Sequence, residues 1–202
     1  MVVSATMIGD EAISALCSRL AASKRPLAAN GLWGSCAPIL AGLMADHLQR
    51  SLLYLTAHLE QADHARDDIE TILARPVDLL PAWEMLPGEG SGSGEIAGER
   101  ARLCQAMRGE CGASTRIIVA PIQALTQPVP SPAGLDAHSL ELAVGDRRDP
   151  EGIAAWLTER GFERLDQVEE PGDFALRGGI LDIFATAEAD PVRLDFFGDE
   201  IE

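Results

Sequence analysis

The sequence predicts an α/β protein in two parts: a parallel-sheet domain, then a small α+β domain with a β-hairpin sheet and one covering helix. Three observations carry this. Short apolar runs alternate with helical periodicities up to residue 126, as in a parallel sheet covered by helices on both faces. Gln127-Pro-Val-Pro-Ser-Pro132 then interrupts every pattern. Beyond residue 162 only strand patterns remain, folded about Gly178-Gly179. The expected division is 1–126, a Pro-rich linker over 127–136, and 137–202.

Within the first domain, residues 10–20 read as a helix. Asp10 is placed to cap it, and Ile13, Leu16, Cys17 and Leu20 repeat at helical spacing. Pro26–Asn30 reads as a short strand leading into Gly31-Leu-Trp-Gly-Ser35. A helix from Pro38 carries Ile39, Leu40, Leu43, Met44 and Leu48 on one side. Ser51–Thr56 has the run of a buried strand. Residues 61–73 form a helix with Ala62, Ala65, Ile69, Ile72 and Leu73 inward. Val77–Leu80 and Arg116–Ala120 are strands flanking a helix over 95–108.

In the second domain, His138–Ala143 alternates like a strand. The helix after it is punctuated at both ends: Asp149 as N-cap, Pro150 at the first turn, Gly161 past the last. Its inward side is Ile153, Trp156, Leu157 and Arg160. A two-residue Gly-Gly turn fixes register, pairing Arg177 with Ile180, Ala175 with Asp182 and Asp173 with Phe184. Phe174, Leu176, Leu181 and Ile183 then share an apolar face. The other face shows Arg177, Ile180, Asp182 and Phe184. On the strand over 191–197, Val192, Leu194 and Phe196 alternate with Arg193, Asp195 and Phe197. One helix covers one side, so a face mixing Arg, Asp, Ile and Phe stays open. It suits a protein partner, or a further domain of a longer parent. The end at Phe197-Gly-Asp-Glu-Ile-Glu202 reads as a fragment, cut short by design or by nature.

Composition narrows the function classes. The 202 residues are 47% hydrophobic and 24% charged, ordinary for a globular chain. No apolar run reaches the roughly 18 residues of a membrane span. The first residues lack the basic and apolar regions of a secretory signal. Cys17, Cys36, Cys104 and Cys111 show no C-x-x-C spacing and no histidine cluster, so reduced thiols in a cytoplasmic protein are expected, without metal. With 32 acidic and 16 basic residues the net charge is -16, a poor basis for gripping DNA phosphates. His47 and His64 have no nucleophile partner at a recognisable spacing.

Gly31-Leu-Trp-Gly-Ser-Cys-Ala-Pro38 lies where a phosphate loop belongs. Against a G-x-x-G-[ST]-G-K-[ST] pattern, Gly31, Gly34 and Ser35 fit, but Cys36 replaces the second loop glycine, Ala37 the lysine and Pro38 the magnesium-binding hydroxyl. Proline also removes an amide. The segment is a degenerate phosphate loop of a helicase-type domain, or a plain glycine-rich turn. Both readings expect no nucleotide hydrolysis, no catalytic residue and no cofactor.

Pro81-Ala-Trp-Glu-Met-Leu-Pro87, Gly-Glu-Arg100, Asp166-Gln-Val-Glu-Glu-Pro-Gly172, Phe174–Phe184 and Arg193–Glu202, in that order, resemble the N-terminal, UvrB-like region of bacterial transcription-repair coupling factor. The excision-repair helicase UvrB shares the last two strings, but keeps an intact phosphate loop and lacks the Pro-Ala-Trp-Glu-Met-Leu-Pro string. The resemblance implies a module without ATPase activity that docks UvrA, the damage sensor of the excinuclease. It implies docking roles for Arg164, Arg177, Arg193 and Asp195, which the open face extends to Ile180, Phe184 and Phe197. UvrB often has a further arginine where this chain has Ala175. RNA polymerase, DNA and ATP are implied only for the rest of a full-length parent. The alternatives are a UvrB-like fragment and a residual nucleotide-binding domain.

Overall fold

The computed structural model describes residues 11–83, 94–109, 115–188 and 190–202. Asp10, residues 84–87 of the Pro-Ala-Trp string and Cys111 lie outside them. In chain order the elements are helices α1 (Glu11–Ala22) and α2 (Cys36–Leu48), strand β1 (Leu52–Thr56), α3 (Leu59–Leu73), β2 (Asp78–Leu79), α4 (Gly94–Gly109), β3 (Ile117–Pro121), α5 (Ile122–Leu125), α6 (Pro132–Ala137), α7 (Pro150–Glu159), and strands β4 (Glu163–Arg164), β5 (Asp173–Arg177), β6 (Ile180–Ile183), β7 (Val192–Phe197) and β8 (Glu200–Ile201).

The chain forms two compact units: residues 1–82 with 110–128, and residues 83–109 with 129–202. The linear cut expected at 126 therefore differs in one respect, since α4 groups with the second unit. The expected linker is also partly ordered. Ser131 caps α6, its hydroxyl accepting from the Gly134 amide at 3.1 Å.

The first unit is a three-stranded parallel sheet in the order β1-β3-β2. β3 is central, with Val119 and Ala120 fully buried. Ala62, Ala65 and Ile69 of α3 pack on this sheet with Val77, Ile117 and Val119, as the helical spacing predicts. Two expectations fail. β1 is an edge strand, and Leu53 and Leu55 are 50% and 43% exposed, so it is buried on one side only. Pro26–Asn30 forms no strand. Proline offers no amide there, Ala-Ala-Asn has little strand preference, and the segment is exposed throughout. The strand–loop–helix unit of a phosphate-binding fold is thus incomplete, and the specific likeness to such a fold is not supported.

The second unit is a five-stranded mixed sheet, β4-β5-β6-β7-β8, parallel between β4 and β5 and antiparallel elsewhere. The hairpin register is the one the Gly-Gly turn predicts: Arg177 faces Ile180 and Ala175 faces Asp182, while the Phe184 amide donates to the Asp173 carbonyl at 2.9 Å. Helix α7 forms as punctuated. The Asp149 carboxylate accepts from the Glu151 and Gly152 amides. Gly161 takes φ +86°, and the Gly161 and Phe162 amides close on the Thr158 and Leu157 carbonyls, the paired bonds of a Schellman end. Ile153, Ala154 and Leu157 pack on Phe174 and Leu181, with Trp156, Leu176, Ile183, Leu194 and Phe196 around them. Arg160 lies 3.8 Å over the Trp156 ring.

His138–Ala143 is not a strand. Its alternation is real, because Leu140 and Leu142 enter the same core. Local bonds replace the ladder: the Ser139 hydroxyl donates to Leu135, and the Ala143 amide to the Asp146 carboxylate. Helix α4 holds Arg100 at 2% exposure, 5.3 Å over the Trp83 ring. Two of the sequence strings behind the resemblance therefore meet. At Gly98 any side chain would collide with the Thr186 carbonyl, so α4 approaches the segment after β6 at that point.

Candidate docking site

Register builds this site. Asp182 of β6 lies directly opposite Arg193 of β7, and Arg177 stands diagonally across from it, beside Ile180. The Asp182 carboxylate accepts from Arg193 twice, Nε to Oδ1 at 2.6 Å and Nη2 to Oδ2 at 2.9 Å. Arg177 Nη2 reaches the same Oδ2 at 3.4 Å. The Asp182 side chain is 13% exposed, whereas both arginine side chains are 59% exposed. Hydrogen bonds from Arg193 are the first reason that the Asp182 carboxyl is held below its ordinary value; burial opposes them, and Arg177 adds to them. Asp182 in turn raises the Arg193 guanidinium.

The remaining expected residues divide. Asp195 faces Ile180 across the β6–β7 ladder, and Ile180 is exposed. Phe197 is 79% exposed next to the Gly198-Asp199 turn, where Gly198 has φ +69°. These join Arg177 and Arg193 on one face. Phe184 is only half-buried beyond the end of β6. Ala175 is 1% exposed, so this end of the outer face is covered, contrary to a fully open face. Arg164 is not brought to the cluster. It pairs with the inward-facing Phe174, and its guanidinium reaches Glu151 of α7 at 3.4 Å, on the helix-bearing side.

Sequence reasoning missed Asp182 as the hub of the arginines. The alternation gave its face, but no tight turn fixes the register between β6 and β7. The burial of Ala175 carried no local signal at all.

In the first unit, Gly31 and Gly34 take φ +81° and +53°, as loop glycines do. A cleft of about 480 Å³ opens beside them, lined by Gly34, Ser35, Pro38, Tyr54, Leu55, Thr56, Ala57, Gln61, His64, Ala65 and Asp68. Among these described residues there is no lysine or arginine. Asp68 is negative, and burial and Asp68 both push the Tyr54 hydroxyl up. The Cys36 amide is already bonded to the Trp33 carbonyl at 3.1 Å, and Pro38 has none. Ala37 supplies no charge. With Cys36 engaged, Pro38 without an amide and no lysine or arginine in the lining, the cleft lacks the lysine and two of the amides of a working phosphate loop. No cluster of three or more potential metal ligands occurs among the described residues.

Comparison with known proteins adds three findings. Residues 140–202, which contain the whole mixed sheet, match the model of the UvrB interaction domain. Transcription-repair-coupling factors align along most of the chain: that of Mycobacterium tuberculosis (strain CDC 1551 / Oshkosh) is 37% identical over 166 residues, covering 79% of this chain, and that of Bacillus subtilis is 30% identical over 174 residues, covering 85%. The Escherichia coli protein is 29% identical over 170 residues, covering 83%. The chain spans 13% of the first relative's length and 14% of the other two. The resemblance read from the sequence strings is borne out by both kinds of match.

Proposed function

We propose that this chain, which belongs with the N-terminal, UvrB-like region of bacterial transcription-repair coupling factor, is a non-catalytic module that docks UvrA. One observation carries the reading. The UvrB interaction domain match covers the sheet that displays Arg177 and Arg193 on a carboxylate hub, beside exposed Ile180 and Phe197. Arginine and aromatic anchors rimmed by polar groups are what hot spots are made of. The partner-binding set is Arg177, Ile180, Arg193, Asp195 and Phe197; Arg164, on the opposite side, contributes at most from its edge.

The role of the whole follows from the same reading. Docking UvrA recruits excision repair to transcription blocked at a lesion. RNA polymerase and DNA are partners of the full-length parent, in the cytoplasm, and ATP serves its translocase motor. No helix among the described residues is long and apolar enough to cross a membrane. Co-elution of the 202-residue chain with purified UvrA on a sizing column tests the reading; independent elution at micromolar concentrations of both would contradict it.

A second reading, a residual nucleotide-binding domain, has the cleft beside Gly34 and Ser35 in its favour. The missing cation and the Asp68 carboxylate argue against it. Saturable heat on titration with magnesium–ATP would revive it.

A further inference from the structure

We infer that Asp182 is a positioning residue of the docking face: it holds Arg177 and Arg193 as a preformed receptor for a carboxylate of the partner. The inference rests on the docking reading and deepens it. Three observations carry it.

Both oxygens of Asp182 are engaged, and all the donors are docking arginines. Asp182 itself is only 13% exposed, against 59% for each arginine, and so offers a partner far less surface than they do. Its effect on binding therefore passes chiefly through the two cations.

A guanidinium has five N–H donors in a rigid fork. Asp182 takes the Nε side of Arg193 and one nitrogen of Arg177, which leaves further donors on exposed side chains. Those donors sit on guanidiniums tethered to one carboxylate. They match the two-pronged geometry of an incoming carboxylate.

Exposed ion pairs add little to fold stability. Two long side chains ordered in advance, by contrast, spare a partner the entropy of ordering them at contact. The local charge also balances, with Asp182 and Asp195 beside the two arginines. Recognition here depends on directed donors and not on a strong field, so it should respond weakly to salt.

The test is a double-mutant cycle read by the affinity of the whole chain for purified UvrA. Asp182→Ala is expected to weaken binding roughly tenfold, the cost of ordering two freed side chains at the interface. Asp182→Asn keeps the shape and an acceptor oxygen, and should recover part of the loss. In an Arg177→Ala/Arg193→Ala background, Asp182→Ala should add nothing, because there is nothing left to position. Thermal melting of each variant shows whether it is folded at the assay temperature; Asp182→Asn serves if Asp182→Ala is not.

If Asp182→Ala binds like the wild type while the arginine variants bind weakly, the positioning role is wrong and the docking reading stands. If its effect adds in full to that of the arginine variants, Asp182 acts through general stability and the inference also fails. If the arginine variants themselves bind normally, both the inference and the docking reading fail.

Discussion

Gly178 and Gly179 make one turn but are glycine for different reasons, and the difference is measurable. Gly178 has φ +61° and open space where a Cβ would be. Gly179 has an ordinary φ, yet a Cβ would lie 2.7 Å from the Phe196 carbonyl oxygen of β7, inside the 3.4 Å at which ordinary contact begins. Gly178→Ala therefore costs backbone strain alone, about 1–2 kcal/mol for an L-residue in the left-handed region. Gly179→Ala forces β7 outward by several tenths of an ångström. That stretches the Phe196–Gly179 hydrogen bond, now 2.7 Å, and carries Arg193 away from Asp182. Overpacking of this kind costs about 1–3 kcal/mol. Each kcal/mol lowers Tm by roughly 4–8 °C in a domain of about 60–100 residues. Both variants should melt early by amounts of the same order. Only Gly179→Ala should lose affinity for UvrA at a temperature where it remains folded. Loss of binding by folded Gly178→Ala, or wild-type binding and melting by Gly179→Ala, would contradict this division between the two glycines.

Three further outcomes are expected. Asp149→Ala removes the α7 cap and should cost about 1 kcal/mol in a urea titration, without altering the apolar contacts of Ile153 and Leu157. Magnesium–ATP should give no saturable heat with the wild type, and Ala37→Lys with Pro38→Thr should not restore tight binding, since the Cys36 amide and the Asp68 carboxylate remain as they are. Asp182 is held below its ordinary carboxyl value, so its stabilisation is complete above that value and is lost as pH falls through the lower, folded one. Acid melting curves of the wild type should thus fall more steeply below the ordinary carboxylate range than those of Asp182→Asn.

Much of the second unit was legible because its signals are local. Asp149, Pro150 and Gly161 bound a helix through their own backbone chemistry, and a two-residue turn leaves one hairpin register. The failures share a physical cause, which is dependence on distant partners. Leu140 and Leu142 alternate as strand residues do, but no strand among the described residues pairs with them. Pro26–Asn30 likewise finds no strand partner among the described residues. Ser51–Thr56 has apolar residues on both sides, yet its edge position leaves Leu53 and Leu55 exposed. In the candidate site, the faces of Arg177, Ile180, Arg193 and Asp195 followed from alternation. The separation of Arg164 did not, because its parallel pairing with β5 sends it to the side of Phe174 and Glu151. Asp182 was placed on the right face, but its grip on two arginines needed the β6–β7 register.

The affinity of the wild-type chain for purified UvrA, set beside Arg177→Ala and Arg193→Ala, tests docking through this face most directly. Saturable binding is predicted, with each substitution costing about 2 kcal/mol, roughly thirtyfold, as at a hot spot, while the far-ultraviolet circular dichroism is retained. Equal affinity for all three proteins, or no binding by any of them, would contradict it.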